Sequence, residues 1–498
     1  MHNRTRMGVA LGCSLGLASC GGGTATPPSA LSSLIDSLSA ESMRDGKVPG
    51  LAITIVRGDS VVHSKGYGSA NLEQQVPMTD TTPVVIGSTS KTFTSFAIMQ
   101  LADSGRIVLD SSVTRYIAML GAPSRSAGET ESGLRPLSPV DPRFRRITVR
   151  HLLTNVGGLP AGFSGDAYEV VDTAQDALER LVRDDMLRRK LDFDPGTGYT
   201  YSNRGFSLAS LAVQDVAGMS YEDYVAARIF TPLGMTHSTG RFWEGAGRGV
   251  VQGYRESVDG KPLARAASLG REWTGAGMIL STSRDVGRYL QVLLHGGQAP
   301  NGSQILSAAA TAELLRPQQK AESELGGDTM YGLGWEISDM NGLTVAMKGG
   351  SVGSMGSLFL LIPEQRVGIA MVFNAIDYGK VQLLQNIVKA LMGTPAAPYQ
   401  VAPAPAAVPA GGFAMSSARL REFVGTYDTR AGLMKVHVKG DSLTSRYEGN
   451  DVVLEPASDT SFVMRSVLRE QEGASLVFKR CGLAMCVWMR GDSSGVRR

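Results

Sequence analysis

The stretch Pro83-Val84-Val85-Ile86-Gly87-Ser88-Thr89-Ser90-Lys91-Thr92-Phe93-Thr94 decides how this chain is read. After it, Phe93, Phe96, Ala97 and Leu101 recur at helical spacing, and Gly105 supplies a stop signal. Ser88 and Lys91 stand three residues apart, so on a helix they share a face and the ammonium can reach the hydroxyl. A serine in the first helical turn also sits among unpaired N–H groups, where a negative oxygen is favoured. That combination makes a nucleophile of a hydroxyl otherwise inert at neutral pH. Alone, Ser-x-x-Lys equally describes a solvated helix start with an exposed lysine, so its meaning rests on partners elsewhere.

The chain has 498 residues, enough for more than one domain and a large core. Its net charge of +3 implies neither nucleic acid nor an anionic surface as partner. No run in the body of the chain is long and apolar enough to span a bilayer. The N-terminus differs: His2, Arg4 and Arg6 precede an apolar run from Met7 to Ala18, and small residues lead to Cys20. This is an export signal, too short for a membrane anchor. Leu17-Ala18-Ser19-Cys20 resembles the bacterial lipoprotein processing box, in which the cysteine is lipidated; the alternative is a plain secretory signal with an incidental Cys20. A glycine-rich tether follows, and the absence of Asp at Gly21 points by analogy to the outer membrane. The expected location is therefore the periplasm, anchored to the membrane through lipid. Cys481 and Cys486 flank Gly482-Leu483-Ala484-Met485, a plausible turn, and form either a small hairpin disulfide or two buried thiols.

Signal peptide and lipobox occupy 1–20 and the tether 21–31. Leu51 to Val56 and Val61 to Gly66 form a hairpin around Arg57-Gly58-Asp59-Ser60. Gly121 to Arg143 is a long polar loop, of a length that is usually functional or disordered. From Ile147 to Leu294 the chain reads as mainly helical, most clearly at Asp166 to Arg189 and Tyr221 to Phe230, and Thr282-Ser283-Arg284-Asp285 reads as a capping box. Strand signals return at Gly334 to Ile337, Leu343 to Met347, Ser357 to Ile362 and Val367 to Phe373, and a helix at Val381 to Met392 closes the part 32–393. First and last strands separated by helices imply an α+β antiparallel sheet assembled from both ends. A Pro/Ala linker spans 394–412, and 413–498 alternates polar and apolar residues as a small all-β domain.

Tyr201-Ser202-Asn203 follows a Pro195-Gly196 turn and precedes a helical run, so Tyr201 stands at a loop-to-helix junction facing a cleft or a domain seam. Lys348-Gly349-Gly350-Ser351 ends the run Leu343 to Met347, where two glycines at a strand edge let another backbone approach. The lysine precedes its glycines and no Gly-x-Gly-x-x-Gly occurs, which argues against a phosphate loop. None of the six histidines stands in metal-ligand spacing, so neither metal nor other cofactor is expected.

In this order the three motifs resemble the serine β-lactamase and penicillin-binding superfamily, in particular its class C β-lactamase-like branch. Ile147 to Thr154 before Gly158-Leu159-Pro160, Pro232-Leu233-Gly234-Met235, Tyr331-Gly332-Leu333-Gly334-Trp335 and the strand ending at Asn374 extend the resemblance over about Leu34 to Met392. Phe423-Val424-Gly425-Thr426-Tyr427 matches the β-domain appended to some members.

The resemblance implies a β-lactamase/transpeptidase-like fold, with an antiparallel sheet flanked by helices and an inserted helical subdomain. Ser88 would attack a carbonyl, Lys91 and Tyr201 would share the general-base work, and the N–H groups of Ser88 and Ser351 would form the oxyanion hole. Asn203, Lys348, Gly349 and Gly350 would bind substrate, with Lys348 available to a substrate carboxylate. Gly349 stands where β-lactamases carry Thr, Ser354-Met355 replaces an expected Gly-Phe, and Asn155-Val156-Gly157 replaces His-Thr-Ser. The acylation machinery is whole, and the departures weigh against strong β-lactam hydrolysis. The expected partners are a D-amino-acid peptide of the cell wall, a β-lactam or a small ester. A penicillin-binding sensor that acylates without turnover is the rival from another class.

Overall fold

The computed structural model describes residues 28–121, 138–161, 171–246, 251–257, 261–265, 269–321, 329–340, 342–375, 379–395, 413–429, 432–440, 442–447, 450–466, 475–481, 484–489 and 492–497. The expected export signal with Cys20, most of the expected tether, the 122–137 part of the expected long loop and residues 396–412 of the expected linker lie outside them. Helix α1 (Pro28–Gly46) begins inside the stretch read as tether, because Leu31, Ile35 and Leu38 recur at helical spacing and are buried. The expected hairpin follows as β1 (Gly50–Arg57) and β2 (Ser60–Asn71), edged by β3 (Val76–Pro77).

Strand β4 (Val84–Val85) leads into a 3₁₀ turn at Gly87–Thr89 and then α2 (Ser90–Asp103). Ser88 thus stands just ahead of the α-helix rather than in its first turn, because Gly87 takes a left-handed φ of 59° before it. The following block holds α3 (Val149–Leu153), α4 (Ala177–Arg180), α5 (Asn203–Ala217), α6 (Tyr221–Val225) and α7 (Phe242–Ala246). The expected helix from Asp166 starts only at Ala177 and runs on through π and 3₁₀ turns to Arg188, while residues 162–170 are not described. Asp172 accepts from the N–H of Ala174 and pairs with Arg180, bracing a loop where helix was expected. Nor is the block wholly helical. It contains the hairpin β5 (Gly253–Glu256) and β6 (Pro262–Arg265), and β7 (Leu280–Ser281), which pairs with β4.

At α8 (Ser283–Leu294) only half of the capping box forms. The Thr282 hydroxyl accepts from Asp285 N–H, but the Asp285 carboxylate accepts from His237 N–H and Ser238 Oγ instead of turning back. Beyond α9 (Ala308–Leu315) come β8 (Gln319–Ala321), β9 (Thr329–Tyr331), β10 (Glu336–Met340), β11 (Leu343–Val352), β12 (Met355–Ile362), β13 (Val367–Phe373) and α10 (Lys380–Leu391).

The main sheet has the order β3-β2-β1-β13-β12-β11-β10-β9-β8. Its two halves join where β1 meets β13 antiparallel, with Leu51 opposite Phe373 and Arg57 opposite Val367. Both faces are covered, so its central strands are continuous apolar runs. Ala52, Val56, Phe359, Leu361, Ala370 and Val372 enter the core that contains α2, α5 and α8. Leu51, Ile53, Leu358, Leu360, Ile369 and Met371 enter a second core with α1 and α10.

After α11 (Ser417–Arg421) come β14 (Gly425–Thr429), β15 (Gly432–Lys439), β16 (Ser442–Tyr447), β17 (Asn450–Pro456), β18 (Ser461–Ser466), β19 (Ser475–Cys481), β20 (Ala484–Met489) and β21 (Asp492–Arg497). They form a closed barrel in sequence order, β14 pairing with β21, which leaves no open edge. Phe478 fills its interior, stacked edge-on with Phe462 and Tyr427 at ring separations of 5.4 and 5.3 Å. The register sets Cys481 opposite Ala484 and Cys486 opposite Lys479. Among the described residues no helix is long and apolar enough to cross a membrane.

Candidate active site

The Ser88 turn is fixed from several sides. The carbonyl of Ile86 accepts from Thr89 Oγ1 at 2.7 Å and Ser357 Oγ at 2.6 Å, and Ile86 N–H donates to Ile279 O at 3.0 Å. Strand β11 lies directly against this turn. A Cβ on Gly350 would stand 2.2 Å from Ile86 O and 2.8 Å from Ser88 N, and a Cβ on Gly87 would stand 2.3 Å from Ser351 N. Only glycines permit that approach, which packs the backbone of Gly350 and Ser351 against that of Ile86 to Ser88. The strand does not end at the glycines, as expected from sequence, but runs through them to Val352. Lys348 and Gly350 are two apart on it, so both face Ser88.

Lys91 is fully buried on α2. Its Nζ donates to Asn203 Oδ1 and Ala276 O, each at 2.7 Å, and lies 3.1 Å from Ser88 Oγ. Neither carbonyl oxygen can donate, so both take N–H groups, and the remaining side of Nζ is shared by Ser88 Oγ and the Tyr201 phenol, which bonds to both Lys91 and Ser88. In the ammonium the third N–H donates there. In the neutral amine the lone pair can accept a proton there. Burial pulls the Lys91 pKa down to about 8, with Tyr201 holding it up and the cation of Lys348 pushing it lower.

Asn203 is the first residue of α5, and the Ser202 side chain caps the helix by accepting from Gly205 N–H. Tyr201 immediately precedes the cap. Asn155, in the left-handed region at φ 60°, clasps this segment: its Oδ1 accepts from Ser202 N–H and its backbone carbonyl from Thr200 N–H. The Asn155 that departs from the family pattern thus positions Tyr201 and Asn203. The Tyr201 ring centroid is 4.8 Å from Lys91 Nζ and 4.7 Å from Lys348 Nζ. Burial opposes ionisation of its phenol, but Lys348 and then Lys91 outweigh it and draw the pKa below the ordinary tyrosine value.

Lys348 itself is 3% exposed and donates to Glu336 Oε1 at 2.8 Å, with Glu336 6% exposed. Burial works against its charge, and Glu336 more than restores it, so the pKa lies well above the lysine value. Lys348, expected to be available to a substrate carboxylate, stands in a buried ion pair with Glu336, 5.3 Å from the Tyr331 ring. Glu336 was missed in the sequence, although Asn341-Gly342 is a two-residue hairpin signal. The register of β10 on β11 sets Met340 opposite Leu343 and Glu336 opposite Met347, one residue from Lys348. Ser88, Lys91, Tyr201, Asn203, Lys348, Gly350 and Ser351 therefore converge from three separated segments. The set can deprotonate a serine and stabilise an oxyanion.

Residues 35–393 match the family model described as Beta-lactamase. Protein flp of Staphylococcus aureus (strain N315) is 25% identical over 344 residues, 68% of this chain and 62% of that protein. The chain thus spans less than two thirds of the length of that relative. Penicillin-binding protein 4 of Amycolatopsis lactamdurans is 27% identical over 332 residues, 66% of this chain and 81% of that protein. The octameric penicillin-binding protein homologue from Pyrococcus abyssi shares the fold, with a TM-score of 0.60 at 24% identity over 93% of this chain and 99% of that one.

Proposed function

We propose that this chain, which belongs to the beta-lactamase family, is a serine hydrolase that passes an acyl group from an amide or ester to Ser88 and then to water. The observation that carries this is the Lys91 side chain, held by two carbonyl acceptors with Nζ 3.1 Å from Ser88 Oγ and with Tyr201 bonded to both Lys91 and Ser88. In acylation the bond from Oγ to the carbonyl carbon forms, and the Ser88 proton passes to the Lys91–Tyr201 pair. The carbon–nitrogen or carbon–oxygen bond then breaks and the leaving group takes that proton. Water repeats the sequence on the acyl-enzyme and restores Ser88. The Ser88 and Ser351 N–H groups receive the oxyanion, and the Asn203 amide nitrogen contacts the substrate.

The Tyr-x-Asn motif and the motif order support the class C-like branch. D-amino-acid peptides and β-lactams are the amide substrates suggested by the similarity to a penicillin-binding protein. The buried pairing of Lys348 favours a small uncharged ester or amide instead. The sequence of the first twenty residues supports export and lipidation at Cys20, with the enzyme held in the periplasm at the outer membrane. The test incubates the protein and Ser88→Ala with nitrocefin, p-nitrophenyl butyrate, D-Ala-p-nitroanilide and a fluorescent penicillin. Turnover by the wild type and none by Ser88→Ala is expected. Turnover surviving in the variant refutes the nucleophile, and stable penicillin labelling without turnover identifies a sensor.

A further inference from the structure

We propose that Arg255 is a positioning residue of the oxyanion site: from β5 it clamps the turn that follows Ser351 and so fixes where the Ser351 N–H points. This rests on the reading in which Ser88 is acylated and the Ser351 N–H receives the oxyanion. Arg255 Nε and Nη2 both donate to the carbonyl of Gly353, at 3.0 and 2.8 Å. Two donors of one guanidinium on one oxygen are charge-assisted and hold its direction as well as its distance.

The residue before it puts the guanidinium there. Tyr254 is buried and ties β5 to the main sheet. Its N–H donates to Asn374 O at 2.8 Å, and its hydroxyl accepts from Leu72 N–H at 2.7 Å and donates to Glu73. Successive side chains of a strand point to opposite faces, so Arg255 reaches the other way, to the end of β11. There Gly353 and Ser354 form a two-residue turn between Val352 and Met355. Gly353 takes a φ of 59° and Ser354 takes no positive φ, the pattern of a type II′ turn. In type I′, the other common hairpin turn, the peptide between the two central residues faces the opposite way, and the carbonyl of that peptide is the one Arg255 holds. Ser354 gives the turn no brace of its own, since its hydroxyl is buried and has no partner among the described residues.

The turn sets the alternation of the strand before it. Val352 and Met355 flank it and exchange both backbone hydrogen bonds, so Ser351 and Gly356 are the next, non-bonded pair. The Ser351 N–H therefore points away from β12, to the edge of β11 beyond its pairing with β10, which stops at Met347. With the Gly353 carbonyl released, the turn is free to rock between its two forms, and the Ser351 N–H moves off its line.

The experiment measures kcat and KM of wild type, Arg255→Lys, Arg255→Ala and Ser88→Ala on p-nitrophenyl butyrate, with and without millimolar guanidinium chloride, alongside a thermal melt of each. Arg255→Ala is expected to lose about tenfold to a hundredfold in kcat, short of the loss of a whole donor, with KM within about threefold. Arg255→Lys keeps a cationic donor and should fall less, and guanidinium should raise kcat of Arg255→Ala by about threefold or more while leaving wild type unchanged. A folded Arg255→Ala whose kcat stays within about threefold of wild type overturns the inference, as does a loss confined to KM, which would make Arg255 a substrate-binding group. A fall in kcat that neither the lysine nor guanidinium recovers is a general loss of structure and also overturns it. If Arg255→Ala does not fold, Arg255→Lys and Arg255→Gln are read against wild type by the same kcat and KM criteria. Should the ester not turn over, the rate of Ser88 labelling by a fluorophosphonate, whose phosphoryl oxygen gains charge in the same place, replaces kcat. Activity or labelling that persists in Ser88→Ala refutes the nucleophile, a failure distinct from an unresponsive Arg255.

Discussion

Gly350→Ala tests the closest backbone approach in the molecule that bears on catalysis. The added methyl would begin 2.2 Å from Ile86 O and 2.8 Å from the nitrogens of Ser88 and Thr89. Relaxed carbon–oxygen contacts settle at about 3.3–3.6 Å, so β11 must retreat from the Ser88 turn by about 1 Å. The turn itself cannot yield, since Ile86 O is held by two hydroxyls and its N–H by Ile279. The retreat carries the Ser351 N–H away from the oxyanion position. Loss of one such donor costs about 2.7–4 kcal/mol, or about 10²–10³ in kcat. Overpacking should also cost stability, about 1–3 kcal/mol. The assay is kcat and KM on the best ester or amide, with a thermal melt on the same preparation. The expected result is a fall of about a hundredfold in kcat, KM within a few-fold, and a lowered melting temperature. A folded variant that retains kcat within about threefold refutes the proposed oxyanion hole.

Three further outcomes are expected. Glu272 is pushed up to about 7 by burial, and its Oε2 has no hydrogen-bond partner. Its folded pKa exceeds the ordinary 4.5, so its contribution is full below pH 4.5 and is lost as pH rises through about 7. Glu272→Gln should therefore raise the melting temperature relative to wild type at pH 8 and much less at pH 5; equal shifts at both refute the assignment. Arg271 and Glu222 form a buried two-bond pair at 2.9 Å each, so Glu222→Ala leaves a buried cation unpaired and should cost about 3–5 kcal/mol in denaturant unfolding. A loss below about 1 kcal/mol would contradict that. Cys20→Ala should abolish membrane association in cell fractionation, and retention at the membrane refutes the lipid anchor.

Much of the fold was legible because its signals are local. The hairpin at Leu51, the strands from Leu343 to Phe373 and the alternating tail announce themselves by apolar pattern, and the structure places them as expected. The helix from Asp166 and the capping box failed for different reasons: Asp172 closes a local turn on the Ala174 N–H and pairs with Arg180, whereas Asp285 spends its carboxylate on the distant His237–Ser238 segment. Glu336 was overlooked because a glutamate after an aromatic motif looks like a surface residue until the hairpin register sets it beside Lys348.

By itself, the sequence determined which groups exist and their order: a serine three residues from a lysine, a tyrosine ahead of a helix cap, a lysine before two glycines. Those are matters of covalent spacing and local propensity. Only the tertiary structure decided what each group is free to do. Convergence of three segments gave Lys91 two carbonyl acceptors and left its remaining side to Ser88 and Tyr201. The same convergence buried Lys348 against Glu336. The difference is physical: a side chain's identity is fixed by the chain, whereas its charge, its partner and its access to substrate depend on the water removed and the neighbours supplied when distant segments pack together.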